Sequence, residues 1–494
     1  MAALQERLRA AREVADRTPK GLCVDGEWRA PRGGATLPVE DPATGTVIAE
    51  VADARAADAT DALDAAVRAQ ASWAATPPRE RGEVLRRAFE TVMARRDDLA
   101  ALMTLEMGKP FAESQAEVAY AAEFLRWFSE EAVRIDGGYL IAPGGGSRVV
   151  TMRQPVGPCL LITPWNFPMA MGTRKIGPAL AAGCTVVVKP AKQTPLSMLA
   201  LVDILREAGA PPGVVNVFTT DRSGEVTDHL LRDPRLRKLS FTGSTEVGRA
   251  LLAAASRNVL RTSMELGGNA PFLVFADADL DAAVEGAFQA KMRNTGEACT
   301  AANRFYAHSS IAGEFGRRLA DRLAALPVGH GLDPATRVGP LIDAKAVRNV
   351  TALIDDATEA GAETLTGDRP VPGEGHFLAP TVLGGVPLGA RALTEEIFGP
   401  VAPIVPFDDE DTAVALANDS EYGLAGYLFT ENLDRGLRVS ERLECGMVGL
   451  NQGIISNPAA PFGGVKHSGL GREGGAVGID EYLGVKYLAI KAAP

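Results

Sequence analysis

Eleven residues, Asn294 to Arg304, read "NTGEACTAANR" and contain Cys299, one of five cysteines in a 494-residue chain. Gly296, Ala298, Thr300, Ala301 and Ala302 surround it with small side chains. Two readings stay open for such a thiol: a small buried hydrophobe, or a nucleophile with room for an incoming carbonyl. "PWNFP", Pro164–Pro168, puts Asn166 on a loop stiffened by two prolines and a tryptophan. A side-chain amide held there either satisfies local backbone or donates to a developing oxyanion. In "MELGGN", Glu265 precedes Gly267 and Gly268 and reads as a solvated loop carboxylate or as a general base with freedom to approach a reacting centre. "FTGSTEVG" lacks the GxGxxG pattern, but Gly243 and Ser244 open a helix after a strand, and free N–H groups there bind phosphate.

Such groups need a scaffold. From Ala54 to Glu131, apolar residues recur every three or four positions, which predicts helices. "GGYLIAPGGG" interrupts them and "SRVVTMRQPVG" alternates like a strand. Then strands ("PCLLITPW", "CTVVVKP", "VVNVFTT", "LRKLSFTG") alternate with helices ("TRKIGPALAAG", "LSMLALVDILREAG", "EVTDHLLRD", "STEVGRALLAAAS"). Units of ~30 residues in this order imply a doubly wound parallel sheet, whose ligands lie beyond the carboxyl ends of the strands. A second alternating region, from "SMELGGNAPFLVF" to about "RLECGMVGLN", predicts a second α/β domain. The tail "YLGVKYLAIKA" and "SRVVTMRQPVG" fit a small sheet standing off the body, with an edge that invites another subunit.

Composition narrows the partners. The net charge of −11 disfavours a nucleic-acid or anionic-membrane surface. No run reaches the ~18 apolar residues of a spanning helix, and "MAALQERLRAAREVADR" lacks a signal peptide's apolar centre. Five cysteines without CxxC and five scattered histidines argue against a disulfide framework or a metal site. The expected compartment is the reducing cytoplasm.

Taken together, "PWNFP", "VVVKPAKQTP", "FTGSTEVG", "ELGGNAPF", "GEACTAANR", "EEIFGPV" and "PFGGVKHSGLGREGG" make the chain resemble the aldehyde dehydrogenase superfamily over about residues 20–490, most closely its succinate-semialdehyde dehydrogenases. The resemblance implies a dinucleotide-binding domain over 1–136 and 151–263, a catalytic domain over 264–450, and an oligomerisation arm from 137–150 and 478–494. It implies Cys299 as nucleophile, Asn166 as oxyanion donor and Glu265 as the base that activates water. On the cofactor it implies Trp165, Lys189, Gly243, Ser244, Glu396 and Phe398, and a homodimer or homotetramer as the assembly. Lys192 stands where many NAD-preferring relatives carry a glutamate for the ribose hydroxyls; an ammonium there favours the 2′-phosphate of NADP, with NAD still possible. Arg174, Arg293 and Ser456 match the trio that holds a distal carboxylate, which points to succinate semialdehyde and admits glutarate semialdehyde.

Two departures stand out. Glu297 replaces a common glutamine two residues before the nucleophile; pointing inward, its charge would raise the thiol pKa. Ala301 replaces the second cysteine of relatives with a local redox switch, so no such disulfide forms. The rival readings are a dehydrogenase for another aliphatic or aromatic aldehyde, an acylating enzyme that uses coenzyme A, and a non-catalytic protein on the same fold.

Overall fold

The computed structural model describes residues 2–371 and 373–491. Two α/β sheets face each other across a cleft, and a small third sheet projects from them. The parallel core of the first sheet runs Val215–Val217, Val186–Lys189, Cys159–Ile162, Lys238–Thr242, Arg261–Glu265. Cys159–Ile162 and Val186–Lys189 are buried along their length and read as nearly unbroken apolar runs, whereas Lys238–Thr242, equally buried, alternates polar and apolar residues.

The chain order through this sheet decides where a ligand can sit. From Cys159–Ile162 it winds outward through Val186–Lys189 and Val215–Val217, then returns to the other side as Lys238–Thr242 and Arg261–Glu265. Strands Cys159–Ile162 and Lys238–Thr242 thus meet at a topological switch point, where the connecting helices diverge and leave a crevice.

The second sheet has a parallel core of six strands: Thr381–Gly384, Val401–Phe407, Ala302–His308, Ala270–Val274, Ala425–Phe429, Met447–Leu450. Its amino-terminal ends face the carboxyl-terminal ends of the first sheet. Chain segments entering Ala302–His308 and Val401–Phe407 therefore reach the same crevice as segments leaving the first sheet. At the junction the backbones nearly touch: a Cβ on Gly268 would lie 2.2 Å from the Cys299 carbonyl oxygen, so only glycine fits.

The third sheet pairs Gly138–Ile141 with Ser147–Pro155 and Ser147–Pro155 with Leu483–Lys491, all antiparallel. Tyr139, Leu140, Ile141, Val485 and Tyr487 are exposed on it. Expected residues 492–494 of the arm lie outside the described residues.

The observed boundaries differ from the expected ones in three places. Strand Ser147–Pro155 runs past 150 because its later residues still pair with the tail, Thr151 with Tyr487 and Pro155 with Leu483. Arg261–Glu265 stays in the first sheet although 264 was the expected start of the second domain, and Gly469–Leu470 returns to pair with it. Leu22–Val24, Glu27–Arg29, Thr36–Asp41 and Thr46–Ala52 are strands that the periodicity did not indicate.

Candidate active site

Helix Ala170–Ala182 is buried along all 13 residues, an arrangement that leaves no solvated face for Arg174 and Lys175. The loop before it follows strand Cys159–Ile162, and Pro164 and Pro168 bracket Asn166. Glu117 caps the helix: its Oε1 accepts the Met169 and Ala170 N–H groups at 3.1 and 3.2 Å. Lys109, paired at 2.5 Å with the other Glu117 oxygen, donates to the Asn166 carbonyl at 2.7 Å. The Asn166 amide is thereby fixed, and its Nδ2 donates one bond, to the Glu297 carbonyl at 2.9 Å.

Cys299 is half-buried between the turn Arg293–Gly296 and strand Ala302–His308. That turn is strained. Asn294 and Thr295 have φ of 55° and 54°, a left-handed conformation that costs ~1–3 kcal/mol per non-glycine residue. Gly296, at φ 79°, lies so close to the Gly399 carbonyl that a Cβ would come within 2.3 Å.

A cavity of about 230 Å³ brings Cys299, Asn166, Trp165, Gly243, Ser244, Glu396 and Phe398 together. It opens at the switch point, between the loop after Ile162 and the turn after Thr242. A second cleft of about 510 Å³ shares Trp165, Glu396 and Phe398 with it and continues along helix Ala344–Glu359. Trp165 and Phe398 meet edge to face at 5.4 Å. A larger cavity, about 960 Å³, lies at the root of the arm near Gln154 and Arg237 and contains none of the expected site residues.

These cavities fit a dinucleotide. Ser244 caps helix Thr245–Ala255 through the Val247 N–H at 3.4 Å, beside a buried Thr242 hydroxyl that has no partner among the described residues. Lys189, at the end of its strand, is almost fully buried and donates to the Ser223 hydroxyl at 3.1 Å. Burial, helped by Lys192, lowers its ammonium to about 8. Lys192 itself is exposed on the following loop. Glu396 accepts the Gly268 N–H at 3.1 Å, and burial lifts its carboxyl to about 7.

Glu265 ends its strand 3% exposed, with Oε2 unpartnered among the described residues. It belongs to a buried cluster that sequence reasoning did not find. Glu473 binds Arg174 and Lys175, each at 2.5 Å, and Lys175 also donates to Ser240 at 3.1 Å. Burial and the Glu473 charge push the Glu265 carboxyl well above the carboxylate range. Against burial, Lys175 and Arg174 hold Glu473 low. Of the two carboxyls, Glu265 therefore keeps the proton. The available signal was the pair Arg174-Lys175 inside an apolar helix, since two buried cations demand a counter-charge.

The expected carboxylate trio divides. Arg293 Nη1 donates to Ser456 Oγ at 3.0 Å, and its guanidinium lies over the rings of Phe167 and Tyr120 at 5.0 and 5.5 Å. Arg174 instead pairs with Glu473 and stacks on Phe462 at 4.0 Å. Burial raises the Cys299 thiol to about 12; Arg174 opposes it, and the Glu265 and Glu396 charges add to it. Glu297 points neither at the thiol nor at solvent. It is buried, and its carboxyl accepts the Ile342 N–H at 3.1 Å.

A half-buried thiol, a fixed amide and a buried carboxyl lie around a cleft at the switch point of a doubly wound sheet, the arrangement of a dinucleotide-dependent dehydrogenase. The family model of the aldehyde dehydrogenase family matches residues 28–488, and the chain belongs to that family of NAD(P)-dependent enzymes. It is 59% identical over 444 residues to the succinate-semialdehyde dehydrogenase of Paenarthrobacter nicotinovorans, covering 90% of this chain and 99% of that one. It is 50% identical to the glutarate-semialdehyde dehydrogenase of Pseudomonas putida, covering 94% and 97%. The crystal structure of an E. coli NADP dependent enzyme superposes with a TM-score of 0.95 at 48% identity, covering 96% of this chain and 98% of that one. Among the described residues, no helix is long and apolar enough to cross a membrane.

Proposed function

We propose that this aldehyde dehydrogenase oxidises succinate semialdehyde to succinate, with NADP preferred to NAD. The observation that carries the substrate reading is an unmatched cation. Arg293 is half-buried and, among the described residues, forms no salt bridge; its hydrogen bond goes to a neutral hydroxyl. A guanidinium with free N–H groups beside a serine is a strong carboxylate clamp. Arg174, paired with Glu473, lies near enough to Cys299 for its charge to favour the thiolate. The Paenarthrobacter relative supports succinate semialdehyde by its name. The Pseudomonas relative favours a second reading, glutarate semialdehyde, which the same clamp would hold.

In this mechanism Cys299 gives up its thiol proton to solvent, and the thiolate Sγ attacks the aldehyde carbon, opening the C=O to a thiohemiacetal oxyanion. An aldehyde carbon cannot release hydride until a nucleophile has made it tetrahedral. The Asn166 amide, using the N–H not bonded to Glu297, and the Cys299 backbone N–H hold the oxyanion. The chemistry that bound NAD(P) supplies is hydride acceptance from that carbon, which leaves a thioester on Cys299. Glu265, raised by its burial, draws a proton from water once its own proton has passed to solvent; the hydroxide adds to the thioester carbon and the C–S bond breaks, giving the acid and the Cys299 thiolate. Gly243 and Ser244 would take the pyrophosphate, Glu396 and Phe398 the nicotinamide side with Trp165, and Lys189 the adenosine ribose. Lys192 supports NADP because an ammonium there attracts a 2′-phosphate and cannot accept ribose hydroxyls.

Initial rates for a matrix of succinate semialdehyde, glutarate semialdehyde, butanal and benzaldehyde against NAD and NADP test this reading. Highest kcat/KM for a carboxylated aldehyde with NADP is expected; equal values for butanal would overturn the substrate assignment. Coenzyme A should leave turnover unchanged. The exposed strand sheet supports a homodimer or homotetramer, and a monomer in light scattering would contradict that. Five unpaired thiols among the described residues fit a reducing cytoplasm.

A further inference from the structure

Glu297 is fully enclosed and uses its two ends differently. Its main-chain carbonyl accepts Asn166 Nδ2 at 2.9 Å and Asn294 Nδ2 at 3.0 Å. Its carboxyl turns away from the thiol: Oε1 accepts the Ile342 N–H, and Oε2 is buried without a partner among the described residues. Ile342 and Asp343 line the cofactor cleft and lead into helix Ala344–Glu359. One residue thus joins the oxyanion amide, the strained turn before Cys299 and the wall of the cofactor cleft.

The charged groups around this carboxyl are few. Lys109, from the segment after helix Arg96–Met107, attracts it, but its ammonium is already bonded to Glu117 and to the Asn166 carbonyl. Asp343 repels it, and burial outweighs both, so the group lies well above the ordinary carboxylate range. An enclosed carboxylate oxygen with no donor is costly, whereas an enclosed neutral hydroxyl costs far less. The protonated acid has nearly the shape of glutamine and keeps the acceptor that Ile342 needs.

We propose that Glu297 is a positioning residue whose protonated carboxyl braces the Asn166 amide and the Cys299 turn against the cofactor-lining segment. The inference rests on Cys299 and Asn166 acting as described above. When Glu297 ionises, an uncompensated charge appears inside the brace, and the turn and the amide lose their alignment. Because the folded-state value is raised, the bracing is complete at low pH and is lost as pH rises through that value.

The test is kcat measured from about pH 7 to about pH 9.5 in the wild type, Glu297→Gln and Glu297→Met. The pH dependence of Cys299 itself is common to all three and cancels in the ratios. The Gln variant should stay within a few fold of wild type near neutrality, and the ratio Gln to wild type should climb at least threefold by the alkaline end. The Met variant, which leaves the Ile342 N–H unsatisfied, should lose about tenfold in kcat across the range. A flat ratio, or Met behaving like Gln, overturns the proposal. So does a Gln variant that fails to fold, since a neutral isostere must be accepted. Asn166→Ala measured alongside separates the two claims: undiminished turnover there defeats the oxyanion assignment, whatever the Glu297 ratio.

Discussion

Replacing Arg293 with methionine removes the cation while keeping an apolar stem of similar length against Phe167 and Tyr120. Arg293 Nη1 is given to Ser456, so Nε and Nη2 are the donors left for a substrate carboxylate. Two charge-assisted hydrogen bonds contribute ~1.5–3 kcal/mol each. Arg293 is half-buried, so solvent screens part of this and the lower end applies, a total of about 3 kcal/mol. That corresponds to about a hundredfold in kcat/KM. The assay compares succinate semialdehyde with butanal, which has the same carbon count and no carboxylate. We expect the hundredfold loss for the first and a change within about threefold for the second, so the selectivity ratio collapses. Equal losses for both aldehydes would mean that Arg293 supports the fold rather than the substrate. No loss for either would refute the clamp outright.

Lys192→Glu should reverse cofactor preference, because a carboxylate accepts ribose hydroxyls and repels a 2′-phosphate; an unchanged ratio of kcat/KM for NADP and NAD would remove the charge argument. Glu265→Gln should retain a stoichiometric burst of NADPH but lose ~10²–10⁴-fold in steady turnover, since water activation and not hydride removal depends on it; loss of the burst itself would place Glu265 earlier in the reaction.

How much of this was legible beforehand depends on where the information lies along the chain. Strands Cys159–Ile162 and Val186–Lys189 could be read because burial on both faces writes them as short apolar runs bounded by helices. Thr36–Asp41 was missed although it alternates cleanly between exposed and buried residues, because Pro38, on its exposed face, argues against a strand. Cys299, Asn166, Gly243, Ser244, Glu396 and Phe398 were named from local motifs, and they converge on one cavity because those motifs end or begin strands at the switch point. Glu473 was invisible for the opposite reason. It lies 298 residues from Lys175, and nothing local in "GLGREGG" says that its carboxylate will neutralise two cations in another helix. The orientation of Glu297 was equally out of reach, since its partner Ile342 is 45 residues away.

Mass spectrometry of the Glu265→Gln enzyme, quenched after mixing with succinate semialdehyde and NADP, interrogates the central step directly. We expect one acyl group per chain, carried on the peptide that contains Cys299 and absent from a Glu265→Gln, Cys299→Ser double variant. An acyl group on any other residue, or none while NADPH has been produced, would contradict covalent capture by this thiol.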